Sequence, residues 1–546
     1  MQGSDGSVYD AMVIGAGITG IYQLHMLRQK GFSVLGVEAG DDVGGVWHWN
    51  RFPGARLDTE SYTYGYFAMN GIIPEWEWSE HFATQAEILS YIRAAADKMG
   101  VRDGFRFNTR VVAADYDENA NLWSVRLDDG TTAKCRFLIT AVGPLSATKL
   151  PDYPGIDDFK GVSYHSSQWP ADPDGGTGPA RVDFTGKRVG VIGTGATGIQ
   201  IIPIVAQTAK ELTVFQRSPN WCVPLGNTAL TQEDMAAIRE KYPDLLEYCL
   251  STPSGFKHMP RDQDGIDATP EERQAFLEQV YSTPGYAIWH GNYRDFLISR
   301  ETNNAIGEFI AAKIRARVKD PAVADLLIPK DHPYGTKRVP METQYYETYN
   351  RPNVHLVDLN ATPIDRITPD GIRTSAAEHE LDIIIYATGF DAVTGALDRI
   401  YFRGRGGKLL RDAWADGPET FLGLSMTDFP NLFTLVSAHN GASFCNVGVC
   451  SPRQVEWVTE MLENMRAQGH TVVEALPEAQ IAWTEHVLSG LEGTLLWEGD
   501  AWWMKISYDE AGNKIMRALA YFGGGPEYRR RCEEVAAHDY QGYALA

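Results

Sequence analysis

Long apolar runs are missing from this chain. The most apolar stretches, Ala11–Ile14 and Ile383–Ala387, are of strand length, far below the roughly 18 residues a membrane-crossing helix needs. Cysteine is scarce: Cys135, Cys222, Cys249, Cys445, Cys450 and Cys532 are the only six in 546 residues, and none has zinc-type spacing. No metal centre is expected, and a reducing cytoplasm is the expected compartment. The opening, Met1 to Gly6, carries no basic segment and does not read as a signal peptide. Positive charge is also in deficit, with 49 Lys and Arg against 71 Asp and Glu and a net charge of −22. Such a chain is a poor general binder of nucleic acid, whose affinity comes from neutralising phosphates, although one local basic pocket remains open. Hydrophobic residues at 44% and charged residues at 22% exclude disordered and collagen-like classes.

What is present is a duplicated supersecondary unit. Asp10–Ile14 reads as a strand, Gly15-Ala16-Gly17-Ile18-Thr19-Gly20 as a turn, and a helical pattern runs to Lys30 with Gly31 as its stop. Phe32–Val37 is a second strand, ending at Glu38. The pattern recurs in the strand Arg188–Ile192, the turn Gly193-Thr194-Gly195-Ala196-Thr197-Gly198, the helix Ile199–Ala209 and the strand Glu211–Phe215. A lone GxGxxG is weak evidence, but each copy here follows a strand and opens a helix, the context of a dinucleotide site. The first glycine allows the turn, the second admits a pyrophosphate, the third packs helix on strand, and the helix N-terminus faces the phosphates.

The copies differ where cofactor identity is decided. Glu38 lies 23 residues after Gly15 and suits a ribose diol, whereas Arg217 lies 24 residues after Gly193 and suits a 2′-phosphate. The first site therefore reads as FAD and the second as NADPH. Two more segments, Phe137–Gly143 and Leu381–Gly389, are strands ending at glycine and fit close approach to a dinucleotide. The expected fold is α/β, with two Rossmann-like dinucleotide-binding domains and a helical insertion. Residues 1–150 and 391–546 are assigned to the FAD-binding domain, 151–224 and 331–390 to the NADP-binding domain, and 225–330 to the insertion. The breaker-rich segment Pro170–Pro179 reads as a linker, and Gln454–Gln468 as a helix.

Two longer patterns carry a family resemblance. Phe159-Lys160-Gly161-Val162-Ser163-Tyr164-His165-Ser166-Ser167-Gln168-Trp169-Pro170 matches the FxGxxxHxxxWP pattern of type I Baeyer–Villiger monooxygenases, and Gly44–Asp58 matches their second long motif. The related flavin N- and S-oxygenases typically lack the Trp-Pro ending. The chain thus resembles that family over nearly its whole length. The resemblance implies a flavoenzyme in which NADPH reduces FAD and dioxygen adds at flavin C4a. The resulting peroxide attacks a ketone, giving an ester or lactone.

By that likeness Arg338 is the catalytic arginine, stabilising developing negative charge, and Asp58 orients it. FAD contacts would come from Gly15, Gly17, Gly20, Glu38, Val46, Trp47, Trp49, Asp58, Tyr64, Val111 and Val447. Thr194, Gly195, Ala196, Thr197, Gly198, Gln200, Ser218 and Arg56 would contact NADP, with Lys337 joining Arg217 at its 2′-phosphate and Trp502 near the nicotinamide. Phe159, Gly161, His165 and Trp169 would couple the two domains, His165 as a linker rather than a general base.

Three other functions compete. A flavin disulfide reductase would use a pair such as the C-x4-C of Cys445 and Cys450, but that family places its pair shortly after the first glycine turn; these two read as packing residues. A dinucleotide sensor would need neither Arg338 nor Asp58. An N- or S-oxygenase would prefer amines and sulfides to ketones. The expected partner is a small ketone, free or carried on coenzyme A, with Lys257 and Arg261 as candidate cations for the latter. Its pocket is expected from residues 391–396, 439–447 and the insertion, and a second copy of the chain is an open possibility.

Overall fold

The computed structural model describes residues 7–66, 72–73, 75–441, 445–508 and 512–546. The opening Met1 to Gly6 and residues 442–444 of the expected pocket loop lie outside them. Two sheets carry the glycine turns, and both follow from short apolar runs buried on both faces, as parallel strands require. In the first, Val8–Ile14 lies between Val34–Val37 and Thr132–Thr140, all parallel, with Ile14 opposite both Val37 and Thr140. Leu432–Thr434 joins the far side of Thr132–Thr140, and Val111–Asp117, Leu122–Leu127 and Thr132–Thr140 form an antiparallel meander. Tyr401–Arg403 closes that edge. The sheet therefore draws on residues far apart in the chain.

The second sheet is wholly parallel, in the order Val354–Asp358, Glu211–Gln216, Arg188–Ile192, Ile383–Tyr386 and Val162–His165. Its strands end level at Gln216, Ile192, Tyr386 and His165, and ligands of open α/β sheets bind at such carboxyl ends. The segment 225–330 is helical, as expected, with Gln232–Glu240, Tyr242–Ser251, Pro270–Ser282, Arg300–Arg317 and Pro321–Leu327. Capping boxes start two of these helices, pairing Thr231 with Asp234 and Thr269 with Glu272.

Two helices begin earlier than the sequence suggested. The second turn's helix is Ala196–Val205, because the chain enters it directly from Gly195, and it carries Pro203 inside. The C-terminal helix is Val447–Gln468 rather than Gln454–Gln468. Asn446 caps it by accepting a bond from the Gly448 N–H, and Pro452 is carried within its early turns. Among the described residues no helix is long and apolar enough to cross a membrane, and no group of three or more His, Cys, Asp or Glu could hold a metal.

Candidate active site

The two glycine turns solve one steric problem in the same way. Gly15 and Gly193 take φ of +106° and +108°, and their N–H groups donate to Val37 O and Phe215 O on the next strands. A Cβ on Gly20 would lie 1.9 Å from Gly15 O, and one on Gly198 2.2 Å from Gly193 O, so each third glycine lets its helix press onto the turn. The middle glycines behave oppositely. A Cβ on Gly17 would meet only Gly45 Cα, at 3.5 Å, and one on Gly195 would meet nothing within 4 Å. Both helices also start at these glycines without a side-chain cap, leaving first-turn amides free. Free amides facing open space, with no Cβ in the way, fit a pyrophosphate at each turn.

Glu38 is buried, and its carboxylate accepts the Ala16 and Gly40 N–H groups, each at 2.7 Å. Each oxygen keeps a lone pair for a ribose hydroxyl. Arg217 is exposed at the end of its strand, and Thr194 Oγ1 donates to Ser218 O at 3.0 Å, pinning that loop to the second turn. Lys337 Nζ lies 3.5 Å from Asp331 Oδ2.

One cavity of about 750 Å³ joins the two turns. From the expected FAD set it is lined by Gly15, Gly17, Glu38, Val46, Trp47 and Trp49, and further by Asp58, Tyr64, Val111 and Val447. From the NADP set it takes Arg56, Ala196, Thr197, Gln200 and Trp502, and Trp503 lines it as well. Gly20, Thr194, Gly195, Gly198, Arg217, Ser218 and Lys337 lie outside this lining. Trp47 Nε1 donates to Tyr64 OH at 2.9 Å, and burial pushes the Tyr64 phenol up to about 12, so it stays protonated.

Arg338 and Asp58 meet inside this cavity. Arg338 Nη2 donates to Asp58 Oδ2 at 2.9 Å, and Asp58 is only 4% exposed. Burial raises the Asp58 carboxyl above its ordinary range, against the pull of Arg338, the Met341 N–H and Tyr286. The Tyr286 oxygen, then Asp58, outweigh burial at the guanidinium and hold it above the arginine range. A permanent cation with one edge anchored and the rest facing a cavity can stabilise an anion that forms there.

The family pattern at 159–170 runs along the second sheet's edge strand and then crosses to the cavity. Gly161 is needed because a Cβ would strike the Phe159 ring and Asp382 O, at 2.4 and 2.5 Å. Trp169 packs on Tyr164 at 4.8 Å, while Ser167 and Gln168 reach the cavity lining. His165 is buried outside it; Nδ1 lies 2.8 Å from Ser167 Oγ and Nε2 3.4 Å from Thr388 Oγ1. Burial lowers its pKa, which fits a structural link.

Three expectations need correction. Lys257 and Arg261 do not line the cavity: Lys257 Nζ is 3.4 Å from the buried Glu60 carboxylate and donates to Tyr62 OH at 3.0 Å, and Arg261 stacks on Phe276 at 4.6 Å. Cys445 and Cys450 are not merely packing residues, since they form a disulfide across a Cα–Cα distance of 6.2 Å. Gly255 makes the meeting possible, because its own Cβ would lie 2.7 and 3.0 Å from the two sulfurs; Cys445 also lines the cavity. The third concerns Tyr286, Trp289, His290 and Phe256, which sequence reasoning missed although they wall the cavity beside Arg338. The aromatic run Tyr286–His290 is the sequence signal for the first three, and by pattern alone it is indistinguishable from generic helical insertion. Burial pushes His290 down to about 3, so it is a neutral imidazole, with Nδ1 3.0 Å from Ser254 Oγ.

Two Rossmann-like sheets, each with a glycine turn open to a pyrophosphate, and a cationic centre between them fit a flavoprotein oxidoreductase that uses two dinucleotides. Comparison with known proteins narrows the class. Residues 10–252 match the family described as flavin-binding monooxygenase-like. Over 537 residues, 98% of each chain, the protein is 58% identical to 2-oxo-Δ3-4,5,5-trimethylcyclopentenylacetyl-CoA monooxygenase of Pseudomonas putida. It is 39% identical over 538 residues, 98% of this chain and 96% of the other, to a Baeyer–Villiger monooxygenase of Pseudooceanicola batsensis. A crystal structure of OTEMO complexed with FAD and NADP superposes with a TM-score of 0.96, at 57% identity and covering 100% of both chains. The chain belongs to the flavin-binding monooxygenases, in their Baeyer–Villiger branch. It is an enzyme that uses FAD, NADPH and dioxygen to convert a ketone to an ester or lactone.

Proposed function

We propose that the ketone is a bulky cyclic one carried on coenzyme A, of the cyclopentenylacetyl type, and that Arg338 and Asp58 are the working pair. The carrying observation is the Arg338–Asp58 contact of 2.9 Å inside a cavity that touches both glycine turns and has Phe256, Trp289, Leu435 and Val436 as apolar walls. Such walls suit a large hydrocarbon ring, and the 58% identical relative named for that thioester supports the choice.

Bound FAD would supply electron storage and oxygen activation. Gly15 and Gly17 would hold its pyrophosphate, Glu38 its ribose, and Trp47 with Tyr64 would pack beside it. At the second turn, the Ala196 and Thr197 amides would bind the NADP pyrophosphate, while Arg217 and Lys337, beyond the cavity lining, would take the 2′-phosphate. Arg338 would hold the carbonyl oxygen as it becomes anionic, and Asp58 would keep the guanidinium aimed. The apolar walls would exclude water during the rearrangement. On this reading residues 1–150 and 391–546 form the FAD-binding part, 151–224 and 331–390 the NADP-binding part, and 225–330 supplies the wall over the ketone. The composition of the two sheets supports that division.

The test compares a cyclopentenylacetic ketone as free acid and as coenzyme A thioester, following NADPH consumption and identifying the product. A much higher kcat/KM for the thioester, with lactone formed, is expected. Equal values for both forms would remove the coenzyme A assignment, and NADPH oxidation without any ester would remove the ketone assignment.

A further inference from the structure

Tyr286 enters from the insertion and completes the Arg338–Asp58 pair. Its OH lies 3.4 Å from Asp58 Oδ2 and 3.3 Å from Arg338 Nη2, the two atoms that form the ion pair. A phenol can donate to the carboxylate and accept from the guanidinium at once, and this one has both partners in place. Its ring is held by Phe256 at 5.0 Å, Trp289 at 5.4 Å and His290 at 5.4 Å, so the OH has little freedom to leave. We propose that Tyr286 is a positioning residue that fixes the Arg338 rotamer and keeps Asp58 ionised, so that one guanidinium edge always faces the reacting carbonyl. The inference rests on Arg338 and Asp58 being the working pair.

Charge arithmetic around the site supports this. Facing Asp58 are Arg338 and the Met341 N–H from one segment, Gln200 from the second turn's helix and Tyr286 from the insertion; Cys222 lies near enough to interact. Tyr64 faces Arg338, and His290 beside Tyr286 is neutral. Burial holds the Tyr286 phenol protonated, so its proton is available to the carboxylate. Among the described residues Arg338 is the cation paired with a carboxyl whose burial already favours protonation, and, unlike the Gln200 amide at the same 3.4 Å, the Tyr286 O–H also engages Arg338. Without that donor Asp58 should take up a proton at higher pH, and Arg338 would lose its anchor.

The experiment uses the FAD-bound enzyme and the substitution Tyr286→Phe, which keeps the ring packing. Infrared titration without NADPH follows the protonated Asp58 carboxyl, identified by its disappearance in Asp58→Asn. In Tyr286→Phe that band is expected to persist to higher pH than in the parent. The acid limb of ester formation should move up with it, and ester formed per NADPH should fall about tenfold, with hydrogen peroxide making up the balance, the loss expected for one hydrogen bond to a charged group. In the Asp58→Asn background, Tyr286→Phe should cause no further loss. A Tyr286→Phe enzyme that titrates and couples like the parent overturns the proposal. Arg338→Ala, run in parallel, separates the two ideas: normal ester yield from it would sink the working pair itself, whereas its failure beside a parent-like Tyr286→Phe sinks only the role of Tyr286.

Discussion

Gln200 Nε2 lies 3.4 Å from Asp58 Oδ1 and donates to Arg56 O at 3.2 Å. Gln200 sits in the first helix after the second glycine turn, so the element whose first-turn amides stand open also touches the carboxylate behind Arg338. The approach is close along the backbone too, since a Cβ on Gly54 would lie 2.6 Å from Gln200 O. Movement of that helix on cofactor binding would thus be felt at Asp58 through direct contact rather than through a long relay.

Arg338→Ala should separate the two halves of the reaction. NADPH should still bleach the flavin, because no hydride-handling role falls to this side chain. Ester formation should drop by about 10²–10³-fold, the usual cost of removing a fixed donor from a developing oxyanion. Arg338→Lys should rescue little, since a point charge cannot keep one edge on Asp58 and offer another to the ketone. The check is ester and hydrogen peroxide measured per NADPH; ester formation at the parent rate would refute the assignment.

The second turn offers a paired steric test. Gly195 has φ −77° and open space where a Cβ would go, so Gly195→Ala should fold, melt and retain flavin like the parent. Its methyl group would occupy the place of a phosphate, and the apparent KM for NADPH should rise about tenfold or more. Gly198→Ala should instead destabilise the protein, because its Cβ would sit 2.2 Å from Gly193 O. Melting temperature and NADPH kinetics on both variants decide the matter; the opposite pattern would contradict the reading of the turn.

These turns were legible in sequence because their main constraint is local: within six residues the third glycine's place for a Cβ is taken by the first glycine's carbonyl, and strand and helix lie within the same thirty or so. Arg338 and Asp58 were legible only through family motifs, since 280 residues separate them and no periodicity joins them. Tyr286, Trp289 and His290 were not legible as site residues. Their place depends on how the insertion folds back over the first lobe, a long-range packing outcome that a helical pattern does not encode. The same holds for Lys257, whose charge looked free but is spent on Glu60, and for Cys445 and Cys450, whose meeting depends on Gly255 from another segment.

Arg217→Ala should raise the apparent KM for NADPH by about tenfold or more and leave that for NADH nearly unchanged, the signature of a lost charge-assisted contact to a 2′-phosphate. Because the side chain is exposed, stability should not change. Steady-state kinetics with both coenzymes read the result directly. Equal effects on both would mean that Arg217 does not distinguish them.

Glu60 ties the insertion to the segment carrying Asp58, and its ionisation should make that tie pH-dependent. Burial alone would raise its carboxyl, but His258 at 3.5 Å, Lys257 at 3.4 Å and its own backbone N–H outweigh burial and bring it down to about 2. A carboxyl lowered on folding stabilises above its unfolded value and loses that contribution as pH falls towards the folded one. The full effect, on the order of 3 kcal/mol, should therefore hold at neutral pH and decline from about pH 4.5 towards 2. Glu60→Gln should lower the melting temperature by a few degrees at pH 7, since it leaves the Lys257 charge beside a neutral amide. The gap between variant and parent should start to close below about pH 4.5, as the parent carboxylate takes up its proton. Thermal melts of both proteins at pH 7, 5 and 4 measure it, and a gap that widens on acidification would show that Glu60 is not the ionised anchor of the insertion.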